Sequence, residues 1–373
     1  MEAWKRELGH NITDLGELRN FVSLDEKELE DVVEKLPFAT TRYYLSLIDP
    51  TDPDDPIRRM VVPSAEELSI EGDLDVSGEK DNTKFLGLQH KYRETVLILA
   101  THRCSSYCRY CFRKRMVGRS RGEILDNFRN AVEYIHEHKE VSNVLITGGD
   151  PLVLDTSIIS DFLKMLVKVE HLDFIRIGTR MPVVYPSRFL NDRRLVRLLN
   201  VYNNFKKIYL VTHFNHPREI TELAREAVRI LLDHNIVISN QTVLLRGVND
   251  DPMTMAKLQK KLTSIGILPY YVFQCRPVQG TRHQFQVPLV KGVKIVEGAR
   301  ALCDGHSKRF RFIMSHRAGK IEVVGIYGDQ FVFKYHQARD RENLNKIMTF
   351  RVDKQARWLD DFMEQQKPLT PAV

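Results

Sequence analysis

The stretch "VLILATHRCSSYCRYCFRKR", residues 96–115, decides the fold. It begins as an apolar run of strand length and breaks into a loop that carries Cys104, Cys108 and Cys111 at CxxxCxxC spacing. A short apolar run without polar alternation is the pattern of a strand covered on both faces, as in parallel sheets. Five further runs follow: "NVLITGG" (143–149), "FIRIGT" (174–179), "KIYLVTHF" (207–214), "IVISNQTVLL" (236–245) and "YYVFQC" (270–275). Between them lie segments of helical period. In "EILDNFRNAVEYIHEH" (123–138) the spacing puts Ile124, Phe128, Val132 and Ile135 on one face, and in "TSIISDFLKMLVKV" (156–169) it does so for Ile158, Phe162 and Leu166. Six βα units predict an α/β chain whose parallel sheet is either a partial, TIM-like (β/α)6 barrel or an open twisted sheet. Such sheets gather their chemistry in the βα loops at the carboxyl ends of the strands, which is where the cysteines fall.

Outward from this core, residues 1–85 read as a helical N-terminal region and linker. "SLDEKELEDVVEKLPF" (23–38) offers Ser23 and Glu26 as a capping box and a stop at Pro37, and "DPTDPDDPIRR" has the turn residues of a connector. Residues 86–305 form the predicted barrel and 306–373 a C-terminal extension. There "KIEVVGIYGDQFVFKYH" (320–336) reads as a hairpin turning at Gly328–Asp329, and "KQARWLDDFMEQQ" (354–366) as a helical tail.

The chain has 373 residues, 43% of them hydrophobic, which is ample for a large core. No run approaches the roughly 20 apolar residues of a membrane span, and "MEAWKRELGH" lacks the apolar segment of a secretory signal, so a cytoplasmic protein is expected. The net charge of +7 favours anionic partners such as phosphorylated cofactors or acidic substrates. It is too small an excess to argue for nucleic acid.

Three cysteines within eight residues favour metal ligation over disulfides. Three thiolates from one loop can hold a cubane iron–sulfur cluster and leave its fourth iron open. Zinc is the alternative, with His102 as the one nearby fourth ligand. "GGD" at Gly148, Gly149 and Asp150 ends the second strand, where glycines permit close backbone approach and a carboxylate suits an ammonium group.

With Tyr110 before the last cysteine and "TGGD" after the next strand, these residues resemble the radical S-adenosylmethionine (SAM) superfamily. "CRYCFRKRMVG", "RIGTRMPVVYPSR", "THFNHPREIT", "NQTVLLRGVND" and "PYYVFQC" are similar, in order, to segments of the lysine 2,3-aminomutase family, over residues 40 to 325. The resemblance implies a 4Fe-4S cluster on Cys104, Cys108 and Cys111, and SAM on its open iron. Gly148, Gly149 and Asp150 would then lie at the SAM ammonium, with pyridoxal phosphate carried by Lys320. It further implies Arg113 as the clamp for a substrate carboxylate. Tyr110, Arg180, His213, His216, Asn240 and Gln241 would line the cofactor cavity. The implied reaction is hydrogen abstraction by a SAM-derived radical and migration of an amino group from the α to the β carbon of an amino-acid-like substrate. Its electron would come from a donor such as flavodoxin or ferredoxin.

Departures from the family pattern matter equally. Thr95 in "HKYRET" stands where a second basic residue helps hold the cofactor phosphate, and "SHRAGK" replaces a glycine-rich lead-in to Lys320, with Arg93, His316 and Arg317 as candidate compensations. Arg276 and approximately Ile313 occupy the positions of two aspartates that bind the distal ammonium of lysine, which predicts a substrate other than free lysine and favours a distal carboxylate. Asp251 replaces a zinc ligand of the family's subunit contact, so the resemblance leaves the existence of a homo-oligomer open. Other readings stay alive: rearrangement, epimerisation or dehydrogenation without pyridoxal phosphate, modification of a translation-factor lysine, or a non-enzymatic iron–sulfur carrier.

Overall fold

The computed structural model describes residues 3–119 and 122–365. A single sheet organises them, with twelve strands in sequence order: β1 (Thr83–Phe85), β2 (Leu88–Tyr92), β3 (Thr95–Thr101), β4 (Asn143–Gly148), β5 (Phe174–Gly178), β6 (Lys207–Thr212), β7 (Val237–Leu244), β8 (Leu268–Gln274), β9 (Arg311–His316), β10 (Gly319–Tyr327), β11 (Gln330–Ala338) and β12 (Ile347–Arg351). Strands β3 to β9 pair in parallel, and the strands outside them pair antiparallel. With β1 and β12 as its edges the sheet is open, a partial barrel.

All six expected strands are present, as β3 to β8, and the sheet adds a seventh parallel strand, β9. It is cut from "RFRFIMS", whose alternating arginines hide a run that is buried from Phe312 to His316. The hairpin β10–β11 turns at Gly328, where φ is 62°, and β12 extends it. The tail is helical from Leu359 to Gln365, and the last residue of the expected helix, 366, lies outside the described residues.

Parallel strands need crossovers, and the connections between β3 and β9 include helices whose starts are written in the sequence. Asn127 accepts a hydrogen bond from Arg129 N to open Phe128–Glu137, and Asp251 accepts one from Thr254 N, ahead of Pro252, to open Pro252–Ser264. Two expected faces are shifted. Asn127 starts its helix after Ile124, which instead packs with Leu99, Met116 and Val117 beneath the cysteine loop. In Thr156–Leu166 the buried stripe is Thr156, Ile159, Leu163 and Leu166, while Ile158 is 40% exposed. The first N-terminal helix of appreciable length, Glu26–Lys35, is capped by Asp25 rather than Ser23, because the Asp25 carboxylate reaches both Lys27 N and Glu28 N.

The N-terminal helices share one hydrophobic cluster with the barrel strands, from Trp4 and Leu18 through Tyr44 to Ile98 and Ile146. No helix among the described residues is long and apolar enough to cross a membrane.

Candidate active site

The cysteine loop is pinned from two sides. Gly149 N donates to Thr101 O at 2.5 Å and Asp150 N to Arg103 O at 2.8 Å, which laces the end of β4 to the start of the loop. A Cβ on Gly149 would lie 2.2 Å from Arg103 O, and one on Gly148, at φ 122°, would lie 2.3 Å from Thr101 O, so only glycine permits this approach. From the N-terminal side, Tyr107 N donates to Ala39 O and Arg109 N to Met60 O. The fully buried Glu67 carboxylate accepts from both Arg109 Nε and Lys114 Nζ at 2.8 Å. Glu67 was not legible in the sequence. Nothing local tells that an exposed-looking "AEEL" tethers a loop more than 40 residues away.

A cavity of about 330 Å³ opens above this loop, and it gathers all the predicted site residues but two: Cys104, Cys108, Cys111, Tyr110, Arg113, Gly148, Gly149, Asp150, Arg180, His213, Gln241 and Lys320. His216 and Asn240 lie outside its lining. His216 caps a short turn through Arg218 N, and Asn240 is buried on Phe214 N and O.

All five cysteines are free of disulfides. Burial pushes the Cys104 thiol up and Cys111 to about 11. Such groups become thiolates when a cation takes the place of the proton. Three sulfurs on one cavity wall suit a cubane, in which each binds a different iron. Among the described residues no three His, Cys, Asp or Glu side chains converge as a single ion requires.

Two predicted contacts are differently engaged. The Asp150 carboxylate is taken by Thr179 Oγ1 at 2.8 and 2.9 Å, Arg180 N at 2.7 Å and Leu152 N at 3.0 Å, so its work in this structure is to join the β4 and β5 loops. The Arg113 guanidinium lies on Glu79 Oε1, with Nε at 3.0 Å and Nη2 at 2.8 Å, and Nη1 reaches Gly148 O at 3.2 Å. Burial works against the Glu79 carboxylate, yet Arg113 and Arg115 hold it down to about 2.

At the far end the cavity is cationic. Lys320 lies on strand β10 rather than on a loop, with its Nζ 4.9 Å from the Tyr271 ring centre. Burial, with Arg176, Arg276 and Lys91 nearby, brings its amine down to about 7. Lys91 is likewise brought to about 7 by burial, and donates to His316 O at 2.6 Å. The acids lining this cavity are Glu79 and Asp150, both already committed. Seven buried polar atoms of the lining have no partner: Ser77 Oγ, Gln89 Nε2, Ser105 Oγ, Arg176 Nε, Gln274 Oε1, Arg276 Nη1 and Gln337 Oε1. Three of these, Gln89 Nε2, Arg176 Nε and Arg276 Nη1, are unpaired buried donors, and beside uncompensated cations they describe a site built for an anion.

Arg176 was missed in the sequence. It faces the cavity from β5 and shares Asn143 Oδ1 with Thr95, at 2.6 and 3.2 Å, so a guanidinium stands beside the position where Thr95 had removed a basic group. The available signal was a charge at mid-strand in "FIRIG", where a doubly covered strand has no solvent to offer it. None of the three residues expected to compensate lines the cavity: Arg93 and Arg317 are absent from it, and His316 is turned to Asp360. Arg276 does line the cavity, its guanidinium carbon 3.6 Å from the Phe112 ring centre and its Nη2 2.8 Å from Ser315 Oγ.

Comparison with known proteins adds the family. The sequence model of the radical SAM superfamily matches residues 98–258. A putative L-lysine 2,3-aminomutase of Aquifex aeolicus (strain VF5) is 43% identical over 355 residues, 95% of either chain. The L-lysine 2,3-aminomutase of Clostridium subterminale is 38% identical, covering 81% of this chain and 73% of its own. The glutamate 2,3-aminomutase of Clostridioides difficile (strain 630) is 35% identical, covering 81% and 71%. The glycine-laced cysteine loop, the cavity it floors and these relatives together place the chain in the lysine 2,3-aminomutase family of the radical SAM superfamily, as an amino acid aminomutase that uses a 4Fe-4S cluster and SAM.

Proposed function

We propose that this aminomutase holds pyridoxal phosphate on Lys320 and acts on an amino acid whose side chain ends in a carboxylate. The observation that carries the reading is the Lys320 amine: inside the cavity, brought to about 7, with cations and no free carboxylate around it. A lysine that is neutral near physiological pH is a nucleophile for a carbonyl. Arg176 and Lys91, with Gln89 Nε2 beside them, supply donors of the kind a phosphate needs, and they stand in for the basic residue lost at Thr95.

When bound, the cluster and SAM supply a hydrogen-abstracting radical, and pyridoxal phosphate supplies the π-system through which nitrogen moves. This chain's residues do the rest. Cys104, Cys108 and Cys111 hold the cluster at the barrel floor. Arg113 meets the substrate α-carboxylate by exchanging it for the Glu79 carboxylate that lies there now, one anion for another on the same fork. Arg276 presents its unpaired Nη1 to the distal carboxylate, and its stacking on Phe112 fixes the direction of the guanidinium. Val211, Val243 and Phe273, from β6 to β8, give the cavity an apolar wall that keeps water from the radical. The reductant is a small one-electron donor of the flavodoxin or ferredoxin kind.

Anaerobic turnover of the reconstituted enzyme with SAM and reductant tests the reading. It predicts a β-amino acid from glutamate or a close dicarboxylic analogue, well above any β-lysine from lysine. The reverse preference would refute the substrate assignment.

A further inference from the structure

Arg180 lies at the cysteine loop, and every nitrogen of its guanidinium has a named partner. Nη1 donates to Cys108 Sγ at 2.9 Å, Nη2 to Glu219 Oε1 at 2.6 Å and to Tyr44 OH at 2.8 Å, and Nε to His213 O at 3.2 Å. Arg180 is 8% exposed, Glu219 is fully buried, and the guanidinium packs on the rings of Tyr44 and Tyr110. Glu219 has no slack: its Oε1 also accepts from Tyr44 OH at 2.6 Å, and its Oε2 from Asn215 N at 2.5 Å and His216 N at 2.9 Å. Asn215 in turn donates to Tyr110 OH at 2.6 Å, which returns the network to the cysteine loop. A carboxylate held by four donors therefore aims a charged N–H donor at one ligand sulfur. Stability alone does not call for this arrangement, since a buried ion pair is often no better than an apolar replacement.

We propose that Arg180, positioned by Glu219 and Tyr44, is a hydrogen-bond donor to the Cys108 sulfur in the assembled cluster and raises the reduction potential of that cluster. Hydrogen bonds to ligand sulfurs are among the determinants of cluster potential, because they favour the more negative, reduced state. The network also gives the N-terminal region a role: Tyr44, on the short helix Arg42–Leu45, carries one of its corners. The inference uses the cluster common to the family and is independent of pyridoxal phosphate and of the substrate.

The test uses the reconstituted holoenzyme without SAM. Its cluster potential is read by EPR along a reductive series, and the Fe–S(Cys) stretch by resonance Raman in H2O and D2O. Arg180→Met with full iron content is expected to show a lower potential and a smaller deuterium shift of that stretch. Arg180→Lys keeps a charge for Glu219, covers the case in which the methionine variant does not load, and is expected to move both readings the same way. Two results with a loaded variant would overturn the proposal. One is wild-type potential and deuterium shift in a loaded Arg180 variant. The other is an unchanged SAM-free cluster with only SAM binding weakened, which would assign Arg180 to SAM instead. Failure of both variants to load iron would also overturn it, by assigning Arg180 to assembly of the loop.

Discussion

The guanidinium of Arg113 and the carboxylate of Glu79 meet inside the cavity at 2.8 and 3.0 Å, and Glu79 Oε2 lies 2.5 Å from Arg115. An N-terminal segment thus places a carboxylate on the arginine that, in the account above, receives the substrate. Glu79→Ala strands the Arg113 guanidinium, while Arg115 keeps Glu123, and breaking a buried pair of this kind costs about 3–5 kcal/mol, so its urea midpoint falls well below that of the wild type. The carboxylate of Glu79 is held at about 2, below its ordinary 4.5. Its stabilisation is present above about 4.5 and is lost as pH falls from there towards 2. An acid-unfolding curve of Glu79→Gln that coincides with the wild type across this window would contradict the assignment.

Arg113→Lys keeps the charge and loses the planar fork. The expected outcome is a raised KM for the amino acid, by roughly 10- to 100-fold, with the rate of reductive SAM cleavage in the absence of substrate preserved. Equal losses in both rates would place Arg113 in cluster support rather than substrate binding.

Lys320 at about 7 has a stated pH signature. The rate of pyridoxal phosphate uptake by the apoprotein should climb between pH 6 and 8 and then level off, because the neutral amine is the reactive form. A rate still rising towards pH 10, the range of an ordinary lysine, would contradict it. The same depression means that the unfolded chain binds a proton here which the folded chain does not, so stability rises with pH between about 7 and 10. Lys320→Met removes that cost. It is expected to be more stable than the wild type near pH 7, by at least about 1 kcal/mol, and to lose the pH-dependent gain.

Gly149→Ala tests the lacing of the loop, because a methyl 2.2 Å from Arg103 O can be housed only by moving backbone. The variant should fold, retain the helical signal in circular dichroism and bind far less iron on reconstitution. Full iron content would show that the loop tolerates the shift.

Much of the barrel is legible in the sequence because β3 to β8 are written as short, predominantly apolar runs, broken by Arg176 in β5 and by Asn240 to Thr242 in β7, a pattern that a doubly covered strand permits and a half-exposed one does not. Strand β9 was lost to the arginines of "RFRF", and the helix faces slipped by one residue at Ile158 because several phases of a 3.6-residue period fit a leucine-rich segment. The cysteines and the glycine pair were legible from motifs that keep their spacing, and Lys320 only through the family resemblance of the segments before it. Glu67, Glu79, Glu219 and Arg176 were not, because their meaning lies in partners 30 to 50 residues away that only the folded chain supplies. Arg113 and Asp150 were found as residues but not as the occupied groups they are: each holds an internal partner that a motif cannot display.

The central claim is that Lys320 is the anchor of a pyridoxal phosphate aminomutase. Borohydride reduction of the cofactor-loaded protein followed by peptide mass mapping tests it most directly. The account predicts one reduced pyridoxyl-phosphate adduct, on Lys320, and none in Lys320→Ala, which still cleaves SAM. An unmodified Lys320 in a protein that turns over its amino acid substrate would contradict it.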